Sequence, residues 1–311
     1  MVHQPRIVFM GSPEFAVPAL NALARRYLLV GVVTQPDRPA GRGQTLVPPA
    51  VKAAALGLSV PVMQPLKLSL PEAMAQLQAW APDLIVVAAF GQILRPAVLD
   101  LPRYGCINVH GSLLPRGRGA APIQASILAG DEVTGITIMK MDPGVDTGPI
   151  LTQRALPIAS MDTCGTLFAK LAPLGAELLL ETLPRYLSGE IVPRPQPEEG
   201  VTYAQMLKKK DGLLDFTKPA IELERRVRAM NPWPGAYFDW NGAPLKVHRA
   251  RFSGEKSPGA GFKLNIEGRP ALGTGEGILI LEEVQPAGKK SMPGRAFLTG
   301  ARDWRITNNG E

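Results

Sequence analysis

A carboxamide and an imidazole lie two residues apart in the segment CINVHG, where one valine separates Asn108 from His110. If residues 105–110 form a strand, both side chains project from the same face, because successive side chains alternate between the faces of a strand. Neighbouring amide and imidazole N–H groups can stabilise an oxygen that becomes negative during a reaction. The alternative, an asparagine that caps a turn beside a packed histidine, is the more ordinary one for an isolated pair. The pair indicates a candidate oxyanion site that needs further support.

A carboxylate that can complete this pair lies in the segment MDPGVDTGPIL. Asp142 precedes Pro-Gly, so we expect it to form a turn. Asp146 has no such pattern around it, and a carboxylate there can orient His110 or carry protons. Capping of a turn or helix is the alternative for Asp146. The two segments together favour a catalytic interpretation.

The segment GSLLPRGRGAAP, which follows His110, offers contacts for a ligand. Leu113, Leu114 and Pro115 form a short apolar run in a predicted loop, and Ser112 supplies a hydroxyl. These residues can hold a flat, mostly apolar ligand against the edge of a sheet. The two arginines that follow face either an anion or solvent.

The elements that must position these residues alternate between strands and helices over the first 190 residues. The predicted strands are residues 6–11, 28–34, 83–90, 105–110 and 133–141. Residues 28–34 and 83–90 are almost wholly apolar, as expected of parallel strands that helices cover on both faces. The pattern predicts an α/β fold with an open, mostly parallel sheet, which binds its ligands at the carboxyl ends of strands.

The 311 residues are enough for two domains. A stretch rich in proline, glycine and charged residues at 190–208 is predicted to link a catalytic domain, residues 1–189, to a second domain, residues 209–311. The second domain begins with a helical segment and continues with short alternating runs between closely spaced turn residues. This pattern indicates a small β-barrel or sandwich.

Positive charge is concentrated in the last third of the chain. Residues 201–311 contain 18 Lys and Arg against 12 Asp and Glu, whereas residues 1–200 contain 16 against 15. A basic second domain is suited to a polyanion such as a nucleic acid. A basic surface that serves only solubility is equally consistent with the charge.

Several classes of protein are disfavoured by features that the sequence lacks. It has no apolar run near the roughly 18 residues of a membrane span, no signal-peptide pattern and only two cysteines. We therefore expect a cytoplasmic protein that does not associate with a membrane. The G-x-G-x-x-G, P-loop, HExxH and GxSxG patterns are also absent, as is any Cys and His spacing typical of zinc. These absences argue against NAD chemistry, ATP hydrolysis and metal-assisted hydrolysis, and we expect no metal.

The segments INVHGSLLPRGRGAAPIQ and GITIMKMDPGVDTGPIL resemble the catalytic segments of the 10-formyltetrahydrofolate-dependent formyltransferases. Further resemblance lies in RIVFMGSPEFAVPAL, TQPDRPAGRG, YAQMLKKKDGLLDF and RAMNPWPGAY, so that it extends over nearly the whole chain. The family commonly carries an aromatic residue where this chain has Gly117.

This resemblance implies a Rossmann-like catalytic domain followed by a C-terminal OB-like β-barrel. It implies transfer of a formyl group from the co-substrate 10-formyltetrahydrofolate to the methionine α-amine of an initiator methionyl-tRNA, by a chain expected to be a monomer. The implied residues are Asn108, His110 and Asp146 for catalysis; Ser112, Leu113, Leu114 and Pro115 for the folate; and Arg38, Arg42, Lys208, Lys209 and Lys210 for the tRNA. Arg38 and Arg42 belong to a loop at 36–49 that is expected to enter the acceptor stem.

Two other interpretations remain open from the residues. A formyltransferase for a small amine, or a formyltetrahydrofolate hydrolase, would share the three catalytic residues without needing the basic second domain. A non-catalytic RNA-binding protein would use the basic surface but leave Asn108, His110 and Asp146 unexplained.

Overall fold

The computed structural model describes residues 4–40, 45–301 and 304. It forms two compact units, each assembled from three stretches of chain. The first unit comprises Met1–Pro122, Val133–Pro157 and Phe168–Ala204, and the second comprises Ile123–Glu132, Ile158–Leu167 and Gln205–Glu311.

Most strands of the first unit form one seven-stranded sheet. The strands of this unit are β1 (Arg6–Gly11), β2 (Leu28–Val33), β3 (Arg38–Ala40), β4 (Thr45–Val47), β5 (Val62–Met63), β6 (Leu84–Ala88), β7 (Cys106–His110), β8 (Arg118–Gly119), β9 (Val133–Lys140), β10 (Ile150–Pro157) and β11 (Tyr203–Ala204). The sheet has the order β10-β9-β7-β6-β1-β2-β5. The five strands from β5 to β7 are parallel, whereas β9 and β10 pair antiparallel. The predicted α/β fold with a mostly parallel sheet is confirmed.

Both units contain helices. They are α1 (Val17–Ala24), α2 (Ala50–Gly57), α3 (Pro71–Trp80), α4 (Pro96–Leu99), α5 (Pro122–Ala129), α6 (Cys164–Leu187), α7 (Ala220–Ala229) and α8 (Gly294–Gly300), with short 3-10 helices at Glu14–Ala16 and Lys209–Gly212. None of the helices in the described part of the chain combines the length and the apolar character that a membrane span requires.

The centre of the sheet is buried on both faces. The side chains of residues 7–10 in β1 and 84–88 in β6 are at most 4% exposed. Apolar side chains on both faces of a strand are stable only where other elements cover both faces, which explains why these strands are uninterrupted apolar runs. On one face, Leu77 of α3 belongs to the same cluster as Val8 and Ile85.

The contact between helix α6 and β7 shows which way the side chains of β7 point. A Cβ at Gly175 of α6 would lie 2.9 Å from Cγ1 of Val109, so only glycine permits this close packing. Val109 therefore faces α6. Because side chains alternate along a strand, Asn108 and His110 project from the opposite face of β7.

The second unit is built on an antiparallel sheet. Its strands are β12 (Ala236–Trp240), β13 (Ala243–Ser253), β14 (Lys263–Ile266), β15 (Arg269–Gly273), β16 (Ile278–Gln285) and β17 (Met292–Pro293). They follow the order β12-β13-β16-β15-β14, and β17 pairs with β16. Leu223 and Val227 of α7 pack with Phe238, Phe297 and Trp304 in the core of this unit. The antiparallel β structure predicted for the C-terminal part is confirmed.

A small hairpin, β3–β4, lies within the segment predicted to enter the acceptor stem. Asp37 fixes its base, since Nζ of Lys52 donates to Oδ1 and Oδ2 at 2.9 and 2.7 Å and Nε2 of Gln64 donates to Oδ1 at 2.7 Å. These bonds hold the pKa of Asp37 below its usual value, with the bond from Gln64 as the largest cause. The base of the hairpin is therefore fixed by polar contacts rather than by a core.

Candidate active site

The structure brings Asn108, His110 and Asp146 together on one side of β7. Nδ2 of Asn108 donates to Oδ1 of Asp146 at 3.3 Å, and Nδ1 of His110 lies 3.6 Å from Oδ2 of the same carboxylate. Asn108 and His110 are 9% and 5% exposed as whole residues, and the Asp146 side chain is 16% exposed. Three polar groups thus converge in a largely buried position.

The hydrogen bond of the second imidazole nitrogen fixes one proton of His110. Nε2 of His110 lies 3.0 Å from the carbonyl oxygen of Gly117. A carbonyl oxygen only accepts hydrogen bonds, so Nε2 carries a hydrogen and donates it. Nδ1 is then the nitrogen that faces Asp146. The role of Asn108 and His110 as donors to an oxyanion stays a prediction.

Asp146 lies on the loop between β9 and β10, with its backbone in the left-handed region at φ 53°. Aspartate is among the few residues that adopt this conformation readily. The backbone N–H of Gly119 donates to Oδ2 of Asp146 at 2.9 Å. The carboxylate is thus oriented from β8, as well as by the two side chains of β7.

Two polar residues that the sequence analysis did not single out hold the predicted folate segment. The hydroxyl of Thr137, opposite His110 in β9, donates to the carbonyl of Ser112 at 2.6 Å and accepts from the backbone N–H of Leu114 at 3.1 Å. Nε2 of Gln153 donates to the carbonyl of Leu114 at 2.9 Å. Thr137 is fully buried. A polar residue inside an apolar strand is the sequence signal that can find such a group.

The four residues predicted to contact folate are placed differently. The Ser112 hydroxyl donates to the carbonyl of Arg116 at 2.6 Å. Leu114 is 3% exposed and packs against Met139 and Ile150. Leu113 and Pro115 are half-buried. All four follow directly on β7, close in sequence to Asn108 and His110.

Asp142 forms the turn that its sequence predicts. Its Oδ1 accepts from the backbone N–H of Gly144 at 3.0 Å and from the hydroxyl of Thr147 at 2.7 Å.

Burial raises the pKa of the Cys106 and Cys164 thiols to about 12, so neither thiol supplies a nucleophilic thiolate at neutral pH. No group of three or more His, Cys, Asp and Glu residues in the described part of the chain is arranged to hold a metal ion.

The residues predicted to bind tRNA lie in both units. In the first unit, Arg38 is exposed on β3, and its Nη2 donates to Oε1 of Gln35 at 3.2 Å. Arg42 lies outside the described residues. In the second unit, Lys208, Lys209 and Lys210 are all exposed, around the start of the short 3-10 helix.

Comparison with family models identifies both parts of the chain. Residues 5–183 match the model described as formyl transferase, and residues 206–302 match the model described as formyl transferase, C-terminal domain. The first match contains Asn108, His110 and Asp146, as well as residues 112–115.

Comparison with individual proteins gives the same relationship over the full length. The chain is 52% identical to the methionyl-tRNA formyltransferase of Myxococcus xanthus, covering 96% of this chain and 95% of that protein. It is 51% identical to the methionyl-tRNA formyltransferase of Halorhodospira halophila, covering 96% of both. Among solved structures, the sugar 3N-formyltransferase WlaRD has a TM-score of 0.66 at 18% identity, covering 93% of this chain and 100% of that one. At this identity the structural likeness concerns the fold alone.

Proposed function

This chain belongs to the formyl transferase family, and we propose that it formylates the methionine of initiator methionyl-tRNA. It transfers the formyl group of 10-formyltetrahydrofolate to the methionine α-amine and gives N-formylmethionyl-tRNA for translation initiation. The observation that carries this proposal is the convergence of Asn108, His110 and Asp146, in a chain about half identical to methionyl-tRNA formyltransferases over almost its whole length.

The first chemical step is attack of the neutral α-amine on the formyl carbon. A C–N bond forms, and the formyl oxygen takes up the electron pair of the carbonyl. Ordinary α-amines titrate at about 7.7–8.0, so a useful neutral fraction exists at physiological pH. One amide hydrogen of Asn108 bonds to Asp146, and none of the described residues accepts the other. We assign this second hydrogen to the oxyanion.

The second step moves the proton of the amine to the leaving nitrogen of the folate, and the bond between that nitrogen and the formyl carbon breaks. His110 Nδ1 and the Asp146 carboxylate, which lie 3.6 Å apart, are the groups placed to take and return this proton. Nε2 of His110 donates to the carbonyl oxygen of Gly117, which keeps the imidazole in one orientation. In this proposal, Nδ1 can then take up and release the proton without rotation of the ring.

The folate lies, in this proposal, against Ser112, Leu113, Leu114 and Pro115, which follow β7 directly. The backbone of this segment is held by Thr137 and Gln153, so the folate meets a preformed surface. Preformed surfaces lose less conformational freedom on binding and therefore bind more tightly.

The tRNA is bound, in this proposal, by a catalytic domain at 1–189 and a second domain at 209–311 that are joined by residues 190–208. Arg38 and Arg42 read the acceptor end, and Lys208, Lys209 and Lys210 contact the phosphate backbone. We propose that the chain acts as a monomer. We propose a cytoplasmic location, because the proposed reaction prepares initiator tRNA for translation.

One assay tests the proposed function. Purified protein is mixed with labelled 10-formyltetrahydrofolate and with either initiator or elongator methionyl-tRNA. We expect label on the initiator alone. Label on free methionine or another small amine would identify a small-amine formyltransferase, release of formate alone would identify a hydrolase, and tRNA binding without turnover would identify a non-catalytic binding protein.

A further inference from the structure

Asp146 is the one member of the catalytic trio that the sheet does not hold. Asn108 and His110 belong to β7, whereas Asp146 lies on a loop and has a left-handed backbone. A loop residue keeps its carboxylate in place only if other groups bind both its side chain and its backbone. The Gly119 N–H and the two β7 residues bind the side chain. The group that binds the backbone is the side chain of Gln196.

Gln196 uses its whole hydrogen-bonding capacity on this loop and on β8. Its Nε2 donates to the carbonyl oxygens of Asp146 and Gly148, both at 2.8 Å, and its Oε1 accepts from Nε and Nη2 of Arg118 at 3.0 and 2.8 Å. Carbonyl oxygens only accept and a guanidinium only donates, so these partners require two donors and one acceptor in a single side chain. A carboxamide is the group that meets this requirement.

The contact with Arg118 connects the two supports of Asp146. Arg118 precedes Gly119, whose N–H orients the Asp146 carboxylate. Gln196 therefore binds the backbone of Asp146 directly. Through Arg118 it also contacts β8, the strand whose Gly119 N–H binds the Asp146 carboxylate.

Residues 194–204, which contain Gln196, are themselves anchored at both ends. Arg194 exchanges two backbone hydrogen bonds with Ile150, at 2.7 and 2.9 Å. At the other end, the backbone N–H of Arg118 donates to the carbonyl of Thr202 at 2.9 Å, and the N–H of Gly117 donates to its hydroxyl at 2.8 Å. Gln196 thus projects from a fixed segment.

We propose that Gln196 is a positioning residue, which holds the backbone of Asp146 so that its carboxylate reaches His110 and the reacting amine. The kinetic part of this inference rests on the proposed function, whereas the position of the Asp146 carboxylate can be measured independently of it.

The decisive variant is Gln196→Glu. A carboxylate keeps the length of the side chain and its contact with Arg118, but it cannot donate to the carbonyls of Asp146 and Gly148. If Gln196 serves only to anchor residues 194–204 to β8, this variant is active. If it positions Asp146, kcat falls by roughly tenfold or more, because small displacements of reacting groups cost large factors in rate. The KM for folate changes little, since the folate segment is held by other residues.

The matched control is Gln78→Glu, which adds the same charge on the exposed face of α3 in the same unit. It should keep the wild-type kcat. Thermal unfolding of both variants shows whether the fold is retained. Single-turnover rates are then measured for Gln196→Glu in the Asp146→Asn background. Because Gln196 acts through Asp146, its substitution should cost far less there than in the wild type, and equal costs in the two backgrounds would overturn the proposal.

A crystal structure of Gln196→Glu provides the measurement that needs no activity. We expect the Asp146 carboxylate to leave hydrogen-bonding distance of Gly119, which is 2.9 Å in the native protein. An unmoved carboxylate would refute the positioning role. Failure of wild-type protein to formylate tRNA would instead refute the proposed function, and this structural result would still decide the role of Gln196.

Discussion

Asn108 stands out among the three residues proposed for catalysis because its amide has one hydrogen engaged and one directed to no other described group. The engaged hydrogen makes a rather long contact, 3.3 Å, with Asp146. We propose that the other hydrogen stabilises the negative charge on the formyl oxygen, which exists only during the reaction. An interaction of this kind affects kcat more than substrate binding.

We therefore expect Asn108→Ala to lower kcat by about 10²–10³-fold, the usual cost of removing one oxyanion donor, while the KM for folate changes much less. Steady-state kinetics with initiator methionyl-tRNA measures both constants. Asn265→Ala, at an exposed position of β14, is the control and should retain wild-type rates. An unchanged kcat in Asn108→Ala would exclude the oxyanion role.

The placement of Asn108 and His110 on one face could be predicted from sequence because strand periodicity relates these two residues locally. The groups that hold Asp146 could not. Gln196 lies 50 positions from Asp146 and 78 positions from Arg118, and a single glutamine in a proline-rich stretch carries no periodic signal. Such partners become visible only when the fold brings distant segments together.

At the scale of elements, the long apolar strands were predictable and the short pairings were not. Residues 83–90 predict β6 at Leu84–Ala88, since burial on both faces requires an uninterrupted apolar run. By contrast, β8 and β11 contain two residues each, which is too short for a pattern of burial. Yet the pairing of β8 with β11 supports the N–H that orients Asp146.

This pairing predicts a specific sensitivity at Gly119. Its φ is +119°, and an added Cβ would lie 2.4 Å from the carbonyl oxygen of Ala204. Gly119→Ala should therefore separate β8 from β11 and reduce kcat. It should lower the free energy of unfolding by more than the roughly 1–3 kcal/mol that a strained backbone costs alone. Denaturant unfolding and steady-state kinetics measure the two effects.

Gly200→Ala is the control for backbone strain, because Gly200 has φ +80° and no atom within 4 Å of an added Cβ. It should show a smaller loss of stability and near-normal kcat. Equal effects in the two variants would mean that strain, rather than the contact between β8 and β11, accounts for the loss at Gly119.

The base of the β3–β4 hairpin should respond to acid. Hydrogen bonds from Gln64 and then Lys52 hold the pKa of Asp37 below the ordinary 3.8, so the folded state binds this proton less readily than the unfolded state. The resulting stabilisation of the folded state is complete above pH 3.8, the pKa of the unfolded state. It is lost as the pH falls through the lower pKa that Asp37 has in the folded state. The difference in unfolding free energy between wild type and Asp37→Asn should be constant from about pH 5 to 7 and shrink below 3.8. A difference that grows on acidification would contradict this assignment.

At the scale of the whole molecule, the surplus of positive charge in residues 201–311 is the feature that we propose to contact a polyanionic substrate. The sequence alone left a solubility role equally open. The structure adds that the three lysines at 208–210 surround a fixed turn. Asp211 accepts from the backbone N–H of Lys208 at 2.6 Å, and its carbonyl accepts from Nη1 of Arg226 at 2.8 Å. Charges on a fixed turn lose less freedom on binding than charges on a free linker.

We expect affinity for initiator methionyl-tRNA to fall steeply with salt, because each neutralised phosphate releases counterions. Substitution of Lys208, Lys209 or Lys210 by alanine should flatten the slope of log K against log salt concentration by about 1 for each phosphate that is no longer neutralised. Filter binding over a range of salt concentrations gives the slope, and the corresponding arginine variants, which keep the charge, should retain it. An unchanged slope in the triple alanine variant would mean that these lysines are only solvated surface residues and that other basic residues bind the tRNA. The triple alanine variant should keep the wild-type kcat at saturating tRNA, because Asn108, His110 and Asp146 are unchanged.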